Sequence, residues 1–384
     1  MTYSLRTPSN VYAGQGSIKD LAAILKKEQT KKALVFTDKG IQECGLCDGA
    51  FAVLKECGVP YEVFTDLKPE PSWQDVEKTV EAAGKADGDL IIAIGGGSVM
   101  DAAKLVGLLK GSSYTVKDLL KDPSIATKQI TSVFCPTTCG TGSEATCNAI
   151  VAIPEEQSKQ GIVNDSMIPE YVILDTDMIK NLPSKIVAAT GVDALAHCVE
   201  CYTSRKATPL SDVYALAGAK LIFRNIEEAF SNPSNIEART AMMQGAYYGG
   251  IAITGSGTTA VHALSYPLGG KYHIAHGVSN AILFAHVMRF NEDAIVDRLA
   301  ALCDFVYPEL SGKTAQEKAD HIIECIAAIV KNTEIPTDLS QYGVKMSDLD
   351  FLVEAGSQQK RLLVNNIKEL SLDDIRSIYL KVVK

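Results

Sequence analysis

The chain has 384 residues, which at roughly 150 residues per domain suggests two or three domains. Hydrophobic residues make up 46% and charged residues 22%, a balance that excludes disordered and fibrous proteins. Thirty-seven Lys and Arg against 46 Asp and Glu leave a net charge of −9, which repels phosphate backbones and anionic lipid and argues against nucleic-acid or membrane-surface binding. No apolar run approaches the roughly 20 residues that span a bilayer. The opening MTYSLRTPSNVYAGQGS lacks the basic start and apolar stretch of a signal peptide, so the expected location is the cytoplasm. The ten cysteines are scattered, and Cys44/Cys47 and Cys198/Cys201 read as reduced thiol pairs in a reducing compartment.

In chain order, apolar strand candidates fall at Ala33–Thr37, Glu62–Thr65, Leu90–Ile94, Ile130–Cys135 and Tyr171–Asp175. Helical patterns fall at 17–27, 50–57, 72–85 and 98–109, with Ser17 as the expected N-cap of the first and Gly58 closing the second. Apolar strands separated by such helices indicate βαβ units and a parallel sheet buried on both faces. After about Asp177 the spacing turns helical, with candidates at 186–203, 209–230, 235–253, 275–290 and 315–331. The sequence therefore predicts an α/β domain over residues 1–180 and an all-helical domain over 181–384. Ligands of open α/β sheets bind at the carboxyl ends of strands, which places the expected active site in the cleft between the halves.

Asp89–Ile94 runs as a buried strand into Gly95-Gly96-Gly97 and then a helix starting at Ser98. Glycines let the backbone approach a diphosphate, and the helix N-terminus turns its amides and positive dipole end toward that charge. The GxGxxG fingerprint is absent. A second loop, Pro136–Glu144, offers hydroxyls suited to ribose, phosphate or amide contacts, and reads equally well as a plain polar loop. Asp38 follows the first strand, where a carboxylate accepts from ribose hydroxyls and repels a 2′-phosphate, favouring NAD over NADP.

Asp193 and His197 are four residues apart in a helical segment and share one face. His262, His273 and His276 form a second group. One Asp with two or three His supplies mixed N/O ligands suited to Fe²⁺ or Zn²⁺ and poorly to Ca²⁺. His286 and His321 lie alone on helical patterns and read as structural or surface residues.

Gly95–Lys104 (GGGSVMDAAK), Pro136–Glu144 (PTTCGTGSE), Gly191–Glu200 (GVDALAHCVE) and the segment ending at His273–Gly277 (HIAHG) closely resemble, in order, the iron-containing alcohol dehydrogenases, over nearly the whole chain. The resemblance implies a Rossmann-like N-terminal dinucleotide-binding domain and a helical metal-binding domain. It places the metal ligands on Asp193, His197, His262 and His276. The cofactor contacts fall on Asp38, Gly95, Gly96, Gly97, Ser98, Asp101, Thr137, Thr138, Thr141, Ser143 and Lys159. It makes His273 the group that moves the substrate proton, and implies NAD(H), Fe²⁺ or Zn²⁺ with Mn²⁺ as a further option, a small aldehyde or alcohol substrate and a homodimer. Two departures are Tyr266 where many members have His, leaving His273 the sole non-ligand histidine of the cluster, and Ala275 where many have Pro, implying a looser turn before His276. The segments around Val261–His273 and Gln358–Asn366 look most like the 4-hydroxybutyrate dehydrogenase branch, with sulfoacetaldehyde and phosphonoacetaldehyde reductases similar. That branch implies a short aldehyde bearing an acid group, with Arg361 as its anchor or a surface arginine. Alternatives are a simple alcohol, diol or glycerol dehydrogenase, a dehydroquinate-synthase-like lyase and a non-catalytic nucleotide binder.

Overall fold

A computed structural model describes residues 2–156 and 158–384. It divides into two compact units, with the chain passing between them at Leu182/Pro183. Residues 2–5 and Cys139–Thr141 group with the C-terminal unit, and the rest of the loop 136–144 with the α/β unit.

The α/β unit holds strands β1 (Asn10–Ala13), β2 (Ala33–Phe36), β3 (Tyr61–Phe64), β4 (Leu90–Gly95), β5 (Thr131–Pro136), β6 (Asn148–Ile153), β7 (Ser158–Val163) and β8 (Tyr171–Leu174). Six of them form a parallel sheet in the order β1-β8-β5-β4-β2-β3. The central strands β2, β4 and β8 are buried at every position, as apolar runs covered on both faces should be. Each large side chain in them contributes roughly 1.5–3 kcal/mol by leaving water. The helix Gly97–Leu109 is buried from Val99 to Leu109 because it packs on both β4 and β6.

Three local expectations are corrected. Ser17 is not an N-cap: Gly16, at φ 79°, precedes a short 3₁₀ turn that contains Ser17. Strand β1 was not foreseen, being four residues long with only alternate positions covered. The antiparallel pair β6–β7 was also not foreseen, since NAIVAI is apolar at nearly every position and shows no alternation. Gly58, at φ 67°, does follow the end of the helix Asp48–Glu56.

The C-terminal unit is helical. Its main helices are Ser184–Thr203, Pro209–Ser231, Ile236–Ser256, Ala260–Tyr272, His276–Val306 and Ala315–Asn332. The helix from His276 runs through the polar stretch after Phe290 that suggested its end. Ala260–Tyr272 was unforeseen because Pro267 and the Gly269-Gly270 pair look like breakers, yet the helix carries Pro267 inside it. Among the described residues no helix is long and apolar enough to cross a membrane, and all ten cysteines are free thiols.

Candidate functional site

Three helices of the C-terminal unit converge on Asp193. Ser184–Thr203 carries Asp193 and His197 on one face, Ala260–Tyr272 supplies His262, and His276 opens the third helix. Asp193 Oδ1 lies 3.5 Å from His262 Nε2, 3.6 Å from His276 Nε2 and 3.8 Å from His197 Nε2. Asp193, His262 and His276 form the tightest set, their ligand atoms all within 4.8 Å of one another. His197 stands beside them with its ring stacked on that of His262, centroids 4.6 Å apart. The close approach depends on Gly277, where a Cβ would fall 2.1 Å from the Ala189 carbonyl oxygen. Glycine after His276 thus lets the third helix abut the first.

Glu200, which sequence reasoning left without a role, completes the centre. Fully buried, it accepts from the backbone N–H of Thr259 and Val261, both at 2.9 Å, and from the Thr259 hydroxyl at 2.7 Å. Those donors are the start of the His262 helix, a favourable place for a carboxylate. Its second oxygen accepts from His262 Nδ1, which turns Nε2 toward Asp193. The available signal was its helical spacing, three residues beyond His197 on the Asp193 face.

Burial resists charge on Asp193, but His197, His276 and His262 outweigh it and hold the carboxyl far below its usual range. Burial likewise opposes the positive form of His262, yet Glu200 and Asp193 push its pKa up to about 9. At His197 burial dominates and lowers the pKa, with Asp193 acting against it. Two buried carboxylates among histidines make a field that favours positive charge, and the N/O donor set suits a divalent metal such as iron or zinc.

His273 ends the Ala260–Tyr272 helix in the left-handed region, φ 54°, where glycine is the usual choice, and its side chain is exposed. Ala275 adopts φ −53° and ψ 136°, the conformation proline would impose, so the turn before His276 is reached without it. Tyr266 is buried with its ring tilted against His276, centroids 6.0 Å apart. Leu362 packs on Tyr266 and Ala263, and its neighbour Arg361 is exposed on the short helix Lys360–Leu363.

In the α/β unit, β2 and β4 are paired so that Asp38 and Gly95–Gly97 leave the sheet at its carboxyl edge. Asp38 caps the next helix, Oδ1 accepting from Ile41 N–H at 2.9 Å. Gly95 is dictated by packing, since a Cβ there would lie 2.7 Å from Val99 Cβ. Gly96 is the N-cap of the following helix, and Gly97 its first residue. Thr137 Oγ1 is buried in this loop without a hydrogen-bond partner, an orphan that fits a ligand contact. Thr138 and Thr141 are partly buried on either side of Cys139-Gly140.

Asp101 and Ser143 are committed to each other. Ser143 Oγ donates to Asp101 Oδ1 at 2.6 Å, the buried Lys104 ammonium reaches both, and Ile150 N–H donates to Asp101 Oδ2 at 2.9 Å. They tie the helix Gly97–Leu109 to the loop and to β6. Ser98 accepts from the Glu70 N–H at 3.0 Å, and Lys159 pairs with the Glu70 carboxylate at 2.6 Å. Through Glu70, Lys159 is linked to Ser98 at the start of the helix after the glycine loop, with its ammonium already paired.

A glycine loop on a parallel sheet and a buried Asp–His centre are the equipment of a metal-dependent oxidoreductase. The chain belongs to the iron-containing alcohol dehydrogenase family: the iron-containing alcohol dehydrogenase model matches residues 8–176 and the family's C-terminal model residues 187–383. It is 36% identical over 375 residues to long-chain-alcohol dehydrogenase 1 of Geobacillus thermodenitrificans, covering 97% of this chain and 94% of that one. A solved 1,3-propanediol oxidoreductase superposes with a TM-score of 0.94 at 28% identity, over 99% of this chain and all of the other. The sulfoacetaldehyde reductase of Bifidobacterium kashiwanohense, solved with NAD⁺, gives 0.89 at 26% identity, over 100% of this chain and 99% of that one. The chain is therefore an oxidoreductase of the alcohol dehydrogenase type.

Proposed function

We propose that this enzyme uses NAD(H) and a divalent metal to interconvert a short acid-bearing aldehyde and its primary alcohol. Candidate pairs are succinic semialdehyde/4-hydroxybutyrate, sulfoacetaldehyde/isethionate and the phosphonoacetaldehyde equivalent. The observation that carries the reaction is the convergence of Asp193, His262 and His276, with His197 beside them. When bound, the metal supplies Lewis acidity at the substrate oxygen and the nicotinamide exchanges the hydride. The protein's part is to hold and orient. Asp193, His197, His262 and His276 are the metal's ligands in this reading, with Glu200 fixing the His262 tautomer. Gly96, Gly97 and Thr137 face the diphosphate, Asp38 accepts from ribose hydroxyls, and Lys159 lies by the nicotinamide ribose. His273 takes or returns the proton of the substrate hydroxyl through an imidazole nitrogen.

The acid group rests on two supports. One is similarity to a sulfoacetaldehyde reductase. The other is Arg361, one residue from Leu362, whose packing leads through Tyr266 to His276. A second reading, a plain alcohol or diol dehydrogenase, is favoured by the names of the other two relatives. NADH oxidation with succinic semialdehyde, sulfoacetaldehyde, phosphonoacetaldehyde, propanal and glyceraldehyde, with Fe²⁺, Zn²⁺ and Mn²⁺ in turn, separates them. Propanal or glyceraldehyde as the best substrate leaves only the second reading.

A further inference from the structure

Asn280 sits one turn after His276 on the same helix and is fully buried. Its side-chain nitrogen, Nδ2, donates to Asp193 Oδ1 at 2.6 Å. The same nitrogen stands 3.2 Å from His262 Nε2 and 3.3 Å from His276 Nε2. These three atoms are the tight ligand set, so a single amide nitrogen touches every member of it. Glu200 matters here too. By accepting from His262 Nδ1 it turns the ring's other nitrogen, Nε2, toward this amide.

The orientation of the amide follows from charge. With its ends exchanged, the carbonyl oxygen would face the Asp193 carboxylate lone pair to lone pair. Holding the nitrogen toward Asp193 leaves Asn280 Oδ1 buried without any hydrogen-bond partner. An asparagine kept only for structure is ordinarily satisfied at both ends, because a stranded buried carbonyl is unfavourable. Here one end is left unsatisfied while the other donates to Asp193 and lies within 3.3 Å of both histidine nitrogens. The residue is thus arranged around the ligand atoms and not around its own needs.

The atoms that this amide meets are those through which a carboxylate and two imidazoles bind a cation. An N–H aimed at a lone pair and a cation bound to it exclude one another. We infer that Asn280 is a positioning residue of the metal centre: its amide gathers Asp193, His262 and His276 and contests their lone pairs with the incoming cation, which sets how tightly the metal is held. The inference rests on the reading of these residues as metal ligands.

Its test compares wild type with Asn280→Ala, each prepared chelated and zinc-loaded. Thermal midpoints are measured in both states, and zinc affinity is read by competition with a chromophoric chelator. The chelated variant should lose more thermal stability than the loaded one, because only there does the amide bridge the ligands. Zinc should then bind the variant more tightly than wild type, by several-fold to about tenfold, since a competitor has gone. Asn280→Ser, whose hydroxyl reaches fewer of the acceptors, should shift affinity the same way by less, and keeps the test open if the chelated alanine variant does not fold. Equal losses of stability in both states with unchanged zinc affinity would make Asn280 a packing residue and overturn the inference. Weaker zinc binding in the variants would overturn it as well, because the amide would then be helping to hold the cation. If wild type takes up no zinc in the same titration, the metal reading itself fails.

Discussion

Glu200 grips His262 by its Nδ1 while closing the N-terminus of the helix that carries it, so one buried carboxylate sets both the position and the ring orientation of this histidine. Glu200→Ala removes that grip and strands the Thr259 and Val261 amides. Loss of such an outer carboxylate typically lowers metal affinity by about 10–100-fold. Metal content after dialysis against graded chelator measures this, and retention equal to wild type would show that His262 is held by packing alone.

His262→Ala and His276→Ala each delete a member of the tight set. Both should abolish turnover and reduce bound metal, and chelation should inactivate the wild type until Fe²⁺ or Zn²⁺ is restored. Metal analysis alongside NADH oxidation reads both effects. Full activity in a verified metal-free preparation contradicts the proposed chemistry.

The residues of the Asp–His centre were legible because Asp193 and His197 share a helix and because the other histidines crowd one segment. Glu200 and Asn280 were not. Glu200 lies 62 residues from His262 and Asn280 lies 87 from Asp193, so only the packing of three helices shows what they touch. The sheet was readable from its fully apolar central strands, whereas β6 and β7 gave no alternation to follow. Pro267 concealed the His262 helix, since local propensity argues against a turn that tertiary packing nonetheless maintains.

Asp38 should make NADH outperform NADPH, because a 2′-phosphate would meet its carboxylate. Since Asp38 also caps the helix Lys39–Glu43, Asp38→Asn is the cleaner variant: asparagine caps as well as aspartate and lacks the charge. The NADH/NADPH ratio of kcat/KM should fall without loss of thermal stability. An unchanged ratio would place the 2′-position elsewhere.

Glu144 is buried, and burial raises its pKa to about 7 against an ordinary value of 4.5, with its own backbone amide and Lys104 opposing. A carboxyl whose pKa is raised on folding adds stability that is complete below about 4.5 and lost as pH rises through about 7. Glu144→Gln keeps the size and removes the titration. Its stability relative to wild type should therefore grow between roughly pH 5 and pH 8, by at most about 3 kcal/mol. Urea unfolding at the two pH values measures it, and a pH-independent difference would mean the side chain does not titrate in that window.

Arg361 carries the substrate prediction. Acid-bearing aldehydes should exceed uncharged aldehydes of equal length in kcat/KM, because a charge-assisted hydrogen bond contributes roughly 1.5–3 kcal/mol, on the order of tenfold to a hundredfold. The net charge of −9 opposes long-range attraction of an anion, so the preference must arise from a local basic group. Arg361 is exposed, and its neighbour Leu362 is anchored on Tyr266, which lies against His276. Arg361→Met keeps much of the stem and removes the guanidinium, with Leu362 left to hold the short helix in place. It should reduce kcat/KM for succinic semialdehyde or sulfoacetaldehyde by about tenfold or more while sparing propanal. A preference for acids that survives the substitution moves the anchor to another residue. Propanal already favoured by the wild type would leave Arg361 a surface arginine and the enzyme a plain short-chain alcohol dehydrogenase.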